Sequence, residues 1–382
     1  MKKYVTLAVT ILLLFIVAGC SNADEQVSST PGPSELTPDL VKLSVSDLGE
    51  ILAALDPSEA SLTYYGETAK TCAASGAIRA ESYVEKLQSF TWEEYHAPDE
   101  WDESGDFRCV FTSPGVTLTA FQSGYDNVRP LHMATDRGEG MFILPYITGE
   151  NGEVEQVSWM VFDTLEQWYN EAQTAALYNG EGTPLTPEEL DWFTDYTAYE
   201  TTYYNESRGG YYSAATAVSC FFTSQYSDPR DMDASEFLCY CPSQDTLEAE
   251  DEEEFRLMQA KLDWRSGDDN HLFTITELPV PCHRLPRAYI NEILTQYAGI
   301  TLDEMHTNWM EAAFYIPQTD CFYTFTSDYG PGMFIPCYGE KSGDIVTLWE
   351  FPDGESGISD MLVLQKNGEN WHILSHQPAA IS

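Results

Sequence analysis

Side chains able to do chemistry are plentiful in this chain of 382 residues, and their spacing decides which of them could act together. His372 and His376 stand four apart, which on a helix would bring both imidazoles to one metal ion. Their surroundings read as a strand, where four residues span about 13 Å, so they cannot share one. Cys239-Tyr-Cys241 with Cys282-His283 is the other set of ligand types. Zinc pairs are separated by roughly two to four residues, and a single intervening residue is too few for a comfortable chelate. Asp245 to Glu254 holds seven acids in ten residues, directly before Phe255, Leu257 and Met258. Acids in a first turn favour the helix dipole, so this run reads as a solvated helix start. No His-Glu-x-x-His, Gly-x-Ser-x-Gly, phosphate-loop or EF-hand pattern occurs. The sequence therefore assigns no catalytic residue, no metal and no cofactor.

One run suits binding better than reaction. Between Tyr196 and Tyr212, tyrosines alternate with Thr, Asn205 and Gly209-Gly210. Tyr199, Tyr203, Tyr204, Tyr211 and Tyr212 are the candidate ligand contacts, because a phenol offers an apolar face with a polar tip, suited to a glycan, peptide or protein. The plainer reading is half-buried packing beneath a loop.

The elements that must position these residues form an α+β pattern, with helices before strands in each half. Asp47 to Leu55 and Ala80 to Phe90 read as helices, followed by strands at Phe107 to Thr112, Val116 to Phe121, Leu131 to Thr135, Met141 to Ile147 and Val154 to Phe162. A capping box at Asp163-Thr-Leu-Glu166 opens a helix that stops at Asn179-Gly180. Thr186 with Pro187 and Glu189 opens the next. Asp233-Ala-Ser-Glu236 and Ala288 to Ala298 add further helices. A meander then runs through Ala313 to Ile316, Cys321 to Thr326, Met333 to Tyr338, Ile345 to Phe351, Met361 to Lys366 and Trp371 to Ser375. The expected architecture is two domains, 40–178 and 185–382 with a linker at 179–184, each with helices packed on one face of an antiparallel sheet. An internal echo links the halves: Asp136-Arg-Gly-Glu-Gly-Met-Phe-Ile143 matches Asp328-Tyr-Gly-Pro-Gly-Met-Phe-Ile335, with Tyr146 and Trp159 answering Tyr338 and Trp349. Asp136 and Asp328 read as turn residues, some of the glycines as positive-φ positions, and Phe142 and Phe334 as buried.

The amino terminus carries the strongest local signal. Two lysines precede a 14-residue, largely apolar run from Val5 to Ala18, too short to span a bilayer and of the length of a secretory leader. Val17-Ala18-Gly19-Cys20 resembles the lipobox of bacterial lipoproteins. That resemblance implies a leader over 1–19, a diacylglyceryl group on Cys20, and a flexible tether over 20–39 that holds the body at the extracytoplasmic face of the cell membrane. The second half also resembles an uncharacterised lipoprotein domain of anaerobic Gram-positive gut bacteria, through Leu185-Thr-Pro-Glu-Glu-Leu190, Cys220-Phe-Phe-Thr-Ser224, Leu285-Pro-Arg287 and Ser327-Asp-Tyr-Gly-Pro-Gly-Met-Phe334. It implies a surface location and a stand-alone second domain, and no chemistry.

Charge narrows the partners. With 62 acids against 18 Lys and Arg the net charge is -44, which repels phosphodiester backbones and anionic lipid, so nucleic acid is excluded and the lipid on Cys20 is the expected membrane contact. A composition 43% hydrophobic and 13% aromatic is that of a folded protein. The eight cysteines after Cys20 lie mostly in apolar surroundings and read as mainly free thiols. The expected function is a lipid-anchored, non-enzymatic binding protein of the envelope. The alternative is an extracytoplasmic hydrolase whose carboxylates come from distant segments.

Overall fold

Local capping signals set the first helices. Ser44 caps Val45–Ala53 by accepting from the Asp47 backbone N–H, while the Asp47 carboxylate accepts from the Ser44 N–H at 2.8 Å. Leu48, Ile51 and Leu52 then fall on one face and are buried. In the computed structural model the described residues are 41–382, without 67–68, 97–106, 123–128, 149–153, 179–181, 206–208, 243–244, 263–264, 267–270, 273, 326–329, 352–358 and 380–382. Cys20, the leader and the tether lie outside them, as do Asp328 and the start of the 179–184 linker. Among the described residues no helix is long and apolar enough to cross a membrane.

The fold is α+β. In the first half a sheet runs in the order Val41–Lys42, Gly138–Ile143, Leu131–Thr135, Val116–Phe121, Arg108–Ser113, Ser61–Tyr65, Ala69–Ala73, with Glu93–Glu94 paired to the end of Gly138–Ile143. Its neighbours are antiparallel except for Val41–Lys42, which joins Gly138–Ile143 in parallel, so the sheet is mixed. Alternation turns Leu62, Cys109, Phe111, Leu118 and Met133 to one face, where helices Ala80–Ser89 and Met160–Tyr178 cover them. The second half holds an antiparallel sheet ordered Thr183–Pro184, Tyr338–Ser342, Ile345–Trp349, Asp360–Asn367, Asn370–Pro378, and a smaller one of Cys282–Pro286, Cys321–Phe325 and Tyr315–Ile316. Val346, Leu348, Leu362 and Ile373 of the larger sheet share a core with Ile290, Ile293 and Leu294 of helix Arg287–Ala298.

The halves have separate cores, and residues 41–382 form one compact unit. The long helix Met160–Tyr178 joins them. Its earlier turns bury Leu165, Trp168 and Ala172 in the first core, and its last turn lays Tyr178 on Trp349, with rings stacked 5.8 Å apart. Cys337 Sγ approaches Thr174 Oγ1 at 3.3 Å, and Arg79 pairs with Asp191 at 2.8 Å. The Tyr338 and Trp349 face of the second sheet is thus covered by the first half's helix, opposite the face that carries Leu348.

Two expected strands differ. Val154 to Phe162 is a strand only over Val154–Gln156, and the helix starts at Met160, because Val161 continues the buried stripe of Leu165, Trp168, Ala172 and Ala175 one turn earlier than the Asp163 box suggests. Met333 to Pro336 is irregular and the strand begins at Tyr338, since Pro331 and Pro336 supply no N–H to a ladder.

The echo also separates: Gly138–Ile143 is a sheet strand, whereas its counterpart is irregular. Tyr146 and Trp159 are exposed where Tyr338 and Trp349 are buried. Phe142 and Phe334 are both buried, as expected. The glycines take no positive φ; they permit close approach instead, a Cβ on Gly332 falling 2.4 Å from Ser219 O. The turn hydroxyl is that of Thr135, which accepts from the Arg137 and Gly138 N–H groups, and not the Asp136 carboxylate.

Candidate functional site

The tyrosine run forms a ribbon. Glu200–Asn205 and Gly210–Ala215 are rich in Thr and Tyr, pair antiparallel in register Tyr203↔Tyr212 and Tyr204↔Tyr211, and join no other strand among the described residues. Period-two alternation puts Tyr203 with Tyr212 on one face and Tyr204 with Tyr211 on the other. The Tyr204 and Tyr211 rings meet edge to face at 5.3 Å, and those of Tyr203 and Tyr212 lie 6.4 Å apart. Such cross-strand pairs supply about 0.2–1 kcal/mol each, which matters in a ribbon with no third strand. Tyr203, Tyr204 and Tyr211 are 47%, 54% and 69% exposed. Tyr199 stands apart at the foot, half-buried, where its carbonyl accepts from the Thr216 N–H at 2.9 Å and Thr216 Oγ1 donates to Ala198 O at 2.6 Å. Four of the five expected contacts therefore make two opposed pairs, and the fifth belongs to the clip that fastens the ribbon.

A cavity of about 500 Å³ lies at that foot, lined by Ala215, Ala217, Pro242, Asp245, Arg284 and Tyr289 among others. Tyr289 holds its edge by donating to Pro242 O at 2.9 Å. Arg284, on strand Cys282–Pro286, gathers the acid run. Its Nη1 meets Asp245 at 2.8 Å, its Nη2 meets Asp251 at 3.1 Å and Glu254 at 2.6 Å, and its Nε donates to the other Glu254 oxygen at 2.8 Å. Tyr323 Oη also donates to Glu254. The carboxylates push the Arg284 pKa up, Glu254 first. The run read as a solvated helix start is therefore in part an ion-pair network, with the helix itself beginning at Glu252. Reasoning along the sequence missed Arg284, although its rarity was a signal: in a chain with so few cations, a half-buried one draws whatever acids the fold can bring.

The ligand-type residues do not converge. Cys241 lies in the main core of the second half and Cys282 in a satellite core with Met258 and Tyr323. His372 and His376 both lie on strand Asn370–Pro378. Among the described residues no group of three or more His, Cys, Asp and Glu is placed to hold a metal, and the eight cysteines are free.

Three ionisable groups with shifted pKa values lie away from the ribbon; Glu171 and His376 are buried and Glu350 half-buried, and of these the sequence singled out only His376, as a possible ligand. Glu171, fully buried, accepts from the Arg79 N–H at 2.8 Å and from Tyr83 Oη at 2.9 Å; burial raises its pKa and these bonds offset part of the rise. Burial pushes Glu350 up to about 7, against the Ile335 N–H that favours its charged form and with nearby Asp360 adding to the rise. His376, packed among Phe222, Tyr226 and Phe334, is driven down by burial although Ser224 O and Asp360 favour its cation. None of the three lines the foot cavity or the two further cavities at the seam between the halves. Comparisons with known families, with characterised proteins and with solved structures return no match.

Proposed function

We propose that this chain is a lipid-anchored, extracytoplasmic binding protein, tethered through Cys20 and touching its ligand through the tyrosine ribbon and the cavity at the ribbon's foot. The observation that carries the binding part is the exposure of Tyr203, Tyr204 and Tyr211 on a ribbon that no other strand covers. Packing does not account for them, and clustered exposed aromatics mark contact surfaces. The anchor rests on the Val17 to Cys20 pattern. A hydrolase would set its perturbed carboxylate or imidazole at the wall of a pocket, and Glu350 and His376 line none of the three cavities described above.

The test compares the wild type, Cys20→Ala, and Tyr203→Ser/Tyr204→Ser/Tyr211→Ser in a lipoprotein-processing bacterium. Metabolic labelling with a fatty-acid analogue should mark the wild type and the ribbon variant but not Cys20→Ala. On arrays of envelope glycans and peptides, the wild type should give hits that the ribbon variant loses while keeping its melting temperature. Equal labelling of Cys20→Ala removes the anchor, and unchanged array hits remove the ribbon.

A further inference from the structure

We infer that Cys220 and Cys241 are a modification site, a dithiol that an external disulfide oxidises to an intramolecular bond. That bond fastens the wall of the foot cavity. Cys220 lies in the 3-10 helix Ala217–Phe222, and Cys241 follows the short helix Ala234–Cys239, its N–H donating to Leu238 O at 3.3 Å. The two elements pack in the second core, where Phe221 meets Phe237 edge to face at 5.2 Å. Both cysteines are buried there, and the Cys220 thiol lies within hydrogen-bonding reach of the Cys241 thiol. Other buried thiols have oxygen partners instead: Cys109 donates to Leu165 O and Cys337 to Trp349 O, each at 3.3 Å.

Two thiols held side by side have a high effective concentration for each other, so the second step of disulfide exchange becomes intramolecular. One cysteine, as thiolate, attacks a sulfur of the external disulfide and releases half of it as a thiolate. The other cysteine attacks the mixed disulfide, the Cys220–Cys241 bond forms, and the second half leaves. The chain loses two hydrogens, and two electrons pass to the oxidant, which departs as two thiols. Burial confines this exchange to a chain still folding or locally open. The extracytoplasmic location proposed above supplies oxidising surroundings, and the test below does not depend on it. The reduced form is the one described above, with both thiols free. Ala217, one turn before Cys220, and Pro242, next to Cys241, both line the foot cavity, and Tyr289 donates to Pro242 O from its edge. An S–S bond of about 2.05 Å is shorter than any contact between two thiols, so closing it draws together the segments behind that wall.

The full chain in detergent, refolded from urea in glutathione buffers of graded ratio and trapped with acid, tests this by peptide mapping with fragmentation, without reductant. The expected product is two hydrogens lighter and links Cys220 to Cys241. Half-oxidation should come at a glutathione ratio about thirtyfold more reducing in buffer than in concentrated urea, because a bond that stabilises the fold is stabilised by it to the same degree. Cys239→Ala, at the half-exposed neighbour, should leave the link and its midpoint unchanged, and Cys220→Ala should abolish the loss of hydrogen. Hydrogen exchange over Ala217–Phe222 should slow on oxidation. The inference is overturned if no link appears at any ratio, if the bond joins another pair, if Cys239→Ala removes it, or if buffer and urea give the same midpoint. Unchanged exchange over Ala217–Phe222 removes the coupling to the cavity wall.

Discussion

Glu350 is held where its charge is costly. Its folded pKa of about 7 stands above the usual carboxylate value of 4.5, so the folded chain keeps a proton that the unfolded chain releases. The stability this contributes is complete below about pH 4.5 and is lost as pH rises through 7, a change on the order of 3 kcal/mol. His376 works in the other direction: its lowered pKa gives stability that is present above about 6.5 and declines on acidification. Glu350→Gln keeps an acceptor for the Ile335 N–H and removes the titration. Urea melts between pH 4.5 and 7 should therefore show the wild type losing stability relative to the variant as pH rises; parallel curves would place Glu350 in water.

At the scale of elements, close backbone approach decides more than turn conformation. Gly332 packs its Cα against the Ser219 to Thr223 segment, and an added Cβ would lie 2.4 Å from Ser219 O and 2.5 Å from Phe222 C, backbone atoms that cannot rotate away. Gly332→Ala should cost roughly 2 kcal/mol of unfolding free energy, read as a lowered urea midpoint of the whole unit. Gly138→Ala meets Val41 O at 1.9 Å, but there the obstacle is the two-residue parallel strand Val41–Lys42 at the sheet edge, so that strand detaches and the midpoint moves less. Equal costs at the two positions would contradict this contrast. Those glycines were legible as special in the sequence, though not for the right reason, because a dipeptide pattern carries φ preferences and says nothing about what packs on it. The helix start at Thr186 was legible because a capping box is complete within four residues. So were strands such as Val116–Phe121, where one face is buried. The ribbon was not: both its faces are wet, so Tyr-Tyr doublets replace the apolar-polar alternation that marks a strand. Arg284 and the seam escaped for a further reason, since each is assembled from segments far apart in sequence.

Within residues 41–382 the two halves meet through side chains contributed by both. Tyr178 on Trp349, Thr174 beside Cys337, and Arg79 with Asp191 join two cores that each bury enough to be distinct. The free cysteines turn this arrangement into a clock. Cys109 lies in the first core, Cys220 in the second and Cys337 at the seam, each fully buried with its thiol held well above its ordinary pKa by that burial. Only a thiolate displaces the leaving group of an alkylating reagent, so in the folded chain all three are silent, and each reacts at the rate at which its own surroundings open. Pulsed alkylation along a urea gradient, read peptide by peptide in a mass spectrometer, should find Cys109, Cys220 and Cys337 becoming reactive at one shared midpoint. If Cys337 reacts well before the other two, the seam parts while both cores stay shut, and the protein then has a slow internal door whose opening rate these native sulfurs record without any added label.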